Sequence, residues 1–160
     1  MFMWKRKNNL TNKIIILDGV LSRSECTELL GYYRPTHEWY GSYPMNVKKS
    51  DKRIMKYMNR IRNQVNRYTN SNLKIDWCEI VEWPVGSSKQ PHFDSTSNKT
   101  RFTSITYLNQ FYGGGDTYIV NDIVFKPKIG RTVCFDGQFY EHGVTPIDKS
   151  KRYTIAIWYK

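Results

Sequence analysis

At 160 residues the chain is long enough for one sizeable core and short for two domains. Its 39% hydrophobic content is ordinary for a globular protein, and no apolar run approaches the roughly 20 residues of a membrane span, so neither disorder nor a transmembrane helix is expected. A formal charge of +11 steers acidic or nucleic-acid partners at long range, but surface lysines kept for solubility explain it equally.

Residues 1–9 carry Lys5, Arg6 and Lys7 without an apolar stretch long enough for a signal peptide, so the expected location is the cytoplasm, in a small microbial or viral system. Cys26, Cys78 and Cys134 are scattered singly, which fits neither a disulfide framework nor a Cys-x-x-Cys pair and suits a reducing compartment. The β-branched run 13–17 predicts a strand. Ser22 and Glu25 form a capping-box signature opening a helix to about Tyr33, with Leu29 and Leu30 inward and Pro35 ending it. Residues 36–49, rich in aromatics and broken by Gly41 and Pro44, read as a loop at a substrate rim.

A second helix is predicted over 50–69, where Ile54, Met58, Ile61, Val65 and Tyr68 make one apolar stripe opposite a face of Lys and Arg. From residue 73 the pattern turns to short β-branched and aromatic runs: 75–83, 103–108, 117–120, 123–125, 132–135, 142–145 and 153–159. Many short strands after a helical first third predict a mostly β fold with flanking helices, a double-sheet jelly roll buttressed by two N-terminal helices. One domain over 1–160 is expected, with a helical support in 1–72 and the β core in 73–160. Gly113-Gly114-Gly115 lacks the Lys-Ser/Thr of a phosphate loop and reads as a turn.

The chemistry gathers at His92 and Asp94. On an extended strand these two residues point to the same face and Phe93 points away. With His142 brought in by the fold, they would form a two-histidine, one-carboxylate metal site that leaves three coordination positions open. Arg152, ten residues beyond His142, supplies a fixed fork for the far carboxylate of a keto acid. Thr154 lies on the same strand face and adds a hydroxyl. The residues alone also admit a catalytic zinc with an open position.

The motifs Trp83-Pro84-Val85-Gly86, His92-Phe93-Asp94, Ile105-Thr106-Tyr107-Leu108-Asn109, Gly114-Gly115-Asp116-Thr117, Pro127-Lys128-Ile129-Gly130, His142 with Pro146, and 152–159 occur in order. Together they resemble the 2-oxoglutarate- and Fe(II)-dependent dioxygenases, in their prolyl-4-hydroxylase-like branch. The resemblance implies double-stranded β-helix architecture, with Fe(II) on His92, Asp94 and His142, 2-oxoglutarate and O2 as co-substrates, and ascorbate as a reductant. It implies that Arg152 and Tyr107 meet the C5 carboxylate of 2-oxoglutarate, that Trp158 lines the co-substrate pocket, and that Arg101 lies on the substrate side.

Trp83 departs from the branch, which carries a tyrosine there; an indole N–H donates but cannot accept. Halogenating relatives lack the carboxylate, so Asp94 implies hydroxylation. The expected reaction is hydroxylation of an unactivated C–H bond, first of all in a peptidyl proline, with release of succinate and CO2. Oxidation of a nucleobase or free small molecule is the second reading, helped by the charge. A catalytically silent binding module is the third.

Overall fold

The computed structural model describes residues 10–94, 100, 102–110 and 113–160. Arg101 therefore lies outside the described residues, as does the basic segment 5–7.

Two α-helices, a short 3-10 helix (Leu10–Asn12) and two antiparallel sheets make up the described chain. β1 (Ile15–Leu17) is followed by α1 (Arg23–Tyr32), β2 (Tyr43–Asn46) and α2 (Lys52–Thr69). Then come β3 (Ile75–Trp83), β4 (Lys89–His92), β5 (Phe102–Tyr107) and β6 (Thr117–Ile119). β7 (Val124–Phe125), β8 (Thr132–Phe135), β9 (His142–Val144) and β10 (Arg152–Tyr159) complete the order. The larger sheet runs β1-β8-β5-β10-β3-β2 and the smaller one β4-β9-β6-β7. This is a jelly roll, as expected.

The capping box at α1 forms: Glu25 N–H donates to Ser22 Oγ at 3.2 Å, and Ser22 N–H donates to Glu25 Oε1 at 2.9 Å. α2 starts at an Asp51 cap and ends on Asn70 in the left-handed region. Its buried stripe is Ile54, Met58, Ile61 and Val65, but it continues to Thr69. Tyr68, expected inward, is 58% exposed, because the step of four from Val65 lands on Thr69 and leaves Tyr68 rotated outward.

Strand alternation decides which side of the large sheet meets the helices. Cys78, Ile80, Ile155, Ile157 and Tyr159 share a core with Leu29, Met58, Ile61 and Val65. Trp77, Glu79, Val81 and Trp83 on β3, and Arg152, Thr154, Ala156 and Trp158 on β10, therefore face the other sheet. A smaller apolar cluster of Tyr107, Ile119, Phe125, Val133 and Phe135 closes one end of the space between the sheets.

Two local readings need correction. Within 36–49, read as loop, residues 43–46 form β2, paired to β3 with Asn46 opposite Glu79. Pro44 looked like a breaker, yet β2 is an edge strand, where a missing N–H costs no ladder bond. Pro91 is tolerated on edge strand β4 for the same reason. Strand geometry also stops at His92, so Asp94 reaches the site from the irregular segment that follows. Gly113, Gly114 and Gly115 adopt positive φ in the predicted turn, and the Gly114 backbone lies so close to Pro146 that a Cβ would meet its carbonyl oxygen at 1.9 Å.

Among the described residues no helix is long and apolar enough to cross a membrane. Cys26, Cys78 and Cys134 are buried free thiols, and burial pushes Cys26 up to about 11 and Cys78 up to about 12. They take no part in the site chemistry.

Candidate active site

A cavity of about 650 Å³ opens between the sheets. His92 at the end of β4 pairs with His142 at the start of β9, which sets the imidazole centroids 4.4 Å apart. Asp94 Oδ1 lies 3.7 Å from His92 Nε2 and 3.4 Å from His142 Nε2. One donor atom from each of the three residues lies within 4.8 Å of the other two, so the group could hold a metal ion.

The surrounding bonds aim these atoms. His92 Nδ1 lies 2.8 Å from the Gln90 carbonyl and His142 Nδ1 lies 2.8 Å from the Tyr140 carbonyl. A carbonyl only accepts, so each Nδ1 carries the hydrogen and each Nε2 presents a lone pair. Asp94 Oδ2 accepts from Thr103 Oγ1 at 2.8 Å and from Trp158 Nε1 at 3.3 Å, leaving Oδ1 to face the imidazoles. The Asp94 N–H donates to the Gly137 carbonyl at 2.8 Å, and any Cβ on Gly137 would sit 2.1 Å from Asp94 Oδ2.

Three electron-pair donors thus converge with no hydrogen supplied between them, an arrangement that a cation stabilises. Burial pushes the Asp94 carboxyl up, but the hydrogen bond and charge of His142, with Thr103 and His92, outweigh it and hold the group below the usual carboxylate range. Burial, opposed by the Gln90 carbonyl, lowers His92 and favours the neutral ring that a metal needs.

Arg152 stands at the far end of the same cavity and is 1% exposed. Its Nε donates to the Gly115 carbonyl at 2.9 Å and its Nη2 to Thr117 Oγ1 at 3.0 Å. The guanidinium lies 5.2 Å from the Trp83 ring and 5.5 Å from the Tyr107 ring. Among the described residues no carboxylate pairs with it, so its positive charge is buried without a counter-ion. Among the described residues Trp83 Nε1 is likewise buried with no hydrogen-bond partner, a second donor left over beside it.

Tyr107 is fully buried next to Arg152, but its hydroxyl donates to Thr117 Oγ1 at 3.0 Å. Thr154 lines the cavity between Arg152 and Ala156. Trp158 lines it too, and its bond to Asp94 adds a role the sequence did not suggest. Phe93, expected to point away, is half exposed but lines the cavity, because strand alternation ends at His92. Thr103 and Thr117, which hold Asp94 and Arg152, were missed. Each is one threonine among several, and only strand pairing puts it beside its partner.

The model of the 2OG-Fe(II) oxygenase superfamily matches residues 78–160. The chain belongs to that superfamily. Membership implies Fe(II), 2-oxoglutarate and O2, and the nitrogen and oxygen donors described above fit such an ion. No match appears among curated proteins.

The fold is similar to that of the viral collagen prolyl hydroxylase from Paramecium Bursaria Chlorella virus-1 in its 2OG complex: 16% identity, 94% of this chain and 97% of that one covered, TM-score 0.77. A Pseudomonas putida prolyl-4-hydroxylase superposes with 17% identity, 92% and 91% coverage and a TM-score of 0.72. A Trichoplax adhaerens prolyl hydroxylase, in complex with a hypoxia inducible factor oxygen degradation domain peptide fragment, gives 19% identity, 95% and 88% coverage and 0.74.

Proposed function

We propose that the chain acts as one catalytic unit, a dioxygenase that hydroxylates an unactivated C–H bond of a peptide substrate, first of all a prolyl residue. His92, Asp94 and His142 would hold Fe(II), with ascorbate as reductant. Bound iron supplies oxygen activation coupled to decarboxylation of 2-oxoglutarate to succinate and CO2. The observation that carries the reading is the buried guanidinium of Arg152, lacking a counter-ion, in the same cavity as three lone-pair donors. A dicarboxylic acid spanning the two ends would neutralise one and complete the other.

In this reading each side chain has a defined task. Thr103 and Trp158 hold Asp94 so that only Oδ1 faces the ion, and the Gln90 and Tyr140 carbonyls fix the imidazole tautomers. Arg152 grips the C5 carboxylate, and Trp83 Nε1 donates to the bound acid where relatives use a tyrosine. Thr154 lines the wall beside it. Tyr107 acts on Arg152 through Thr117. The apolar ring of Ile105, Phe135 and Val144 keeps water from the reacting centre.

Prolyl substrates are supported by the three similar folds, each that of a prolyl hydroxylase. A nucleobase substrate draws on the net charge, but the exposed Lys52, Arg53, Lys56 and Arg60 sit on α2, across the large sheet from the cavity. The test is succinate release from 2-oxoglutarate with proline-rich peptides against oligonucleotides. Peptide stimulation, with one oxygen gained by the peptide, is expected. Stimulation by oligonucleotides alone would overturn the peptide assignment.

A further inference from the structure

Glu79 is a carboxylate the oxygenase chemistry leaves unused. It lies on the cavity face of β3, opposite Ala156 on β10 and Asn46 on β2, and two residues from Trp77. Besides the metal-facing Asp94 it is the one acidic side chain lining the cavity among the described residues. Neither Lys89 nor Arg152, which share the cavity, forms an ion pair with it, and no hydrogen bond to its carboxylate is found among the described residues. Burial pushes its carboxyl up, and the charge of His37 pulls weakly the other way. An acid kept half-buried without a partner costs stability, so a partner from outside is the economical explanation.

The neighbouring surface says what that partner is. Trp77 stacks on Trp158 with centroids 4.6 Å apart, and the exposed Trp39 and Tyr40, packed edge to face, line the same cavity. Lys89 Nζ already sits 5.1 Å from the Tyr40 ring, so these rings attract cations within the chain itself. Aromatic faces around one free carboxylate are the chemistry that selects an ammonium or guanidinium group, whereas a neutral apolar substrate would need the rings alone.

We propose that Glu79 is a specificity-determining residue, and that the substrate carries a cationic group that pairs with Glu79 against the Trp77–Trp158 stack. The proposal rests on the oxygenase reading of this cavity and narrows its substrate to one with a basic side chain or amine near the oxidised carbon. The overall charge of +11 does not oppose it, since exposed charges farther than about 8 Å are screened at physiological salt.

The test is ligand binding to the full chain without added metal, read by tryptophan fluorescence, using n-butylammonium, n-butylguanidinium and neutral 1-butanol. Saturable binding of both cations about tenfold tighter than the alcohol is expected, weakening with added salt. Glu79→Gln should bring the three affinities together and Glu79→Asp should keep part of the preference, with urea unfolding confirming that both variants fold. Equal affinities in the unaltered chain, no saturable cation binding, or a preference surviving in Glu79→Gln would overturn the proposal. The readout needs neither iron nor turnover: a chain that selects cations yet never releases succinate would sink the oxygenase reading alone.

Discussion

The indole N–H of Trp158 donates to Oδ2 of Asp94 at 3.3 Å, from a β10 residue paired with Thr103, which donates to the same oxygen. Two donors from neighbouring strands thus fix one carboxylate oxygen and leave the other facing His92 and His142. The smaller sheet pairs the two imidazoles, and the large sheet orients the carboxylate that completes the triad, although none of the three residues belongs to the large sheet.

Thr103→Val keeps the shape of this contact and removes its hydrogen bond. Metal affinity should fall about tenfold, the lower range for losing a partner of a metal-binding side chain. Mn(II) titration followed by electron paramagnetic resonance measures it, and an unchanged affinity would remove Thr103 from the account.

Arg152→Leu should weaken 2-oxoglutarate binding by about a hundredfold or more, because a buried carboxylate would lose its charged partner. Arg152→Lys should fall between, retaining charge but losing the fork that Gly115 and Thr117 orient. Equilibrium binding of labelled 2-oxoglutarate, with Mn(II) in place of Fe(II), reads both.

Trp83→Phe keeps an aromatic face under Arg152 and deletes the buried N–H that lacks a partner. Binding of 2-oxoglutarate should weaken about tenfold, the value of one hydrogen bond to a charged acceptor. Stability toward urea should change little, since the packing lost with the smaller ring is offset by removal of an unsatisfied buried donor. Reduced stability with unchanged binding would make Trp83 a packing residue.

Away from the cavity, Glu82 accepts from Tyr153 Oη at 2.6 Å and Lys151 Nζ at 2.9 Å. Burial pushes its carboxyl up, but these bonds prevail and the net shift is downward from 4.5. Its stabilisation is therefore full above the unfolded value of about 4.3 and is lost as pH falls through the lower folded value. Glu82→Gln should cost about 1 kcal/mol at neutral pH. Urea unfolding should show that deficit shrinking below about pH 4.

Much of this was legible in the residues. The bounds 75–83 of β3 were read without error, because a run rich in β-branched and aromatic residues is bounded by Asn72 on one side and Pro84 on the other. His92, Asp94 and His142 converge as their spacing suggested, although the strand stops two residues short of Asp94 and close approach to Gly137 does the rest. Burial of Arg152 beside Lys151 could not be read from charge, since adjacent strand residues face opposite sides. Thr103, Thr117 and Glu79 acquire meaning only through cross-strand pairing, and β2 was hidden because an edge strand accepts Pro44.

The most direct test is an anaerobic visible-absorption titration of the full chain with Fe(II) and 2-oxoglutarate. A weak visible charge-transfer band should appear only when both are present, and should vanish in His142→Ala. No band, or one of equal strength in His142→Ala, would contradict a site built on His92, Asp94 and His142.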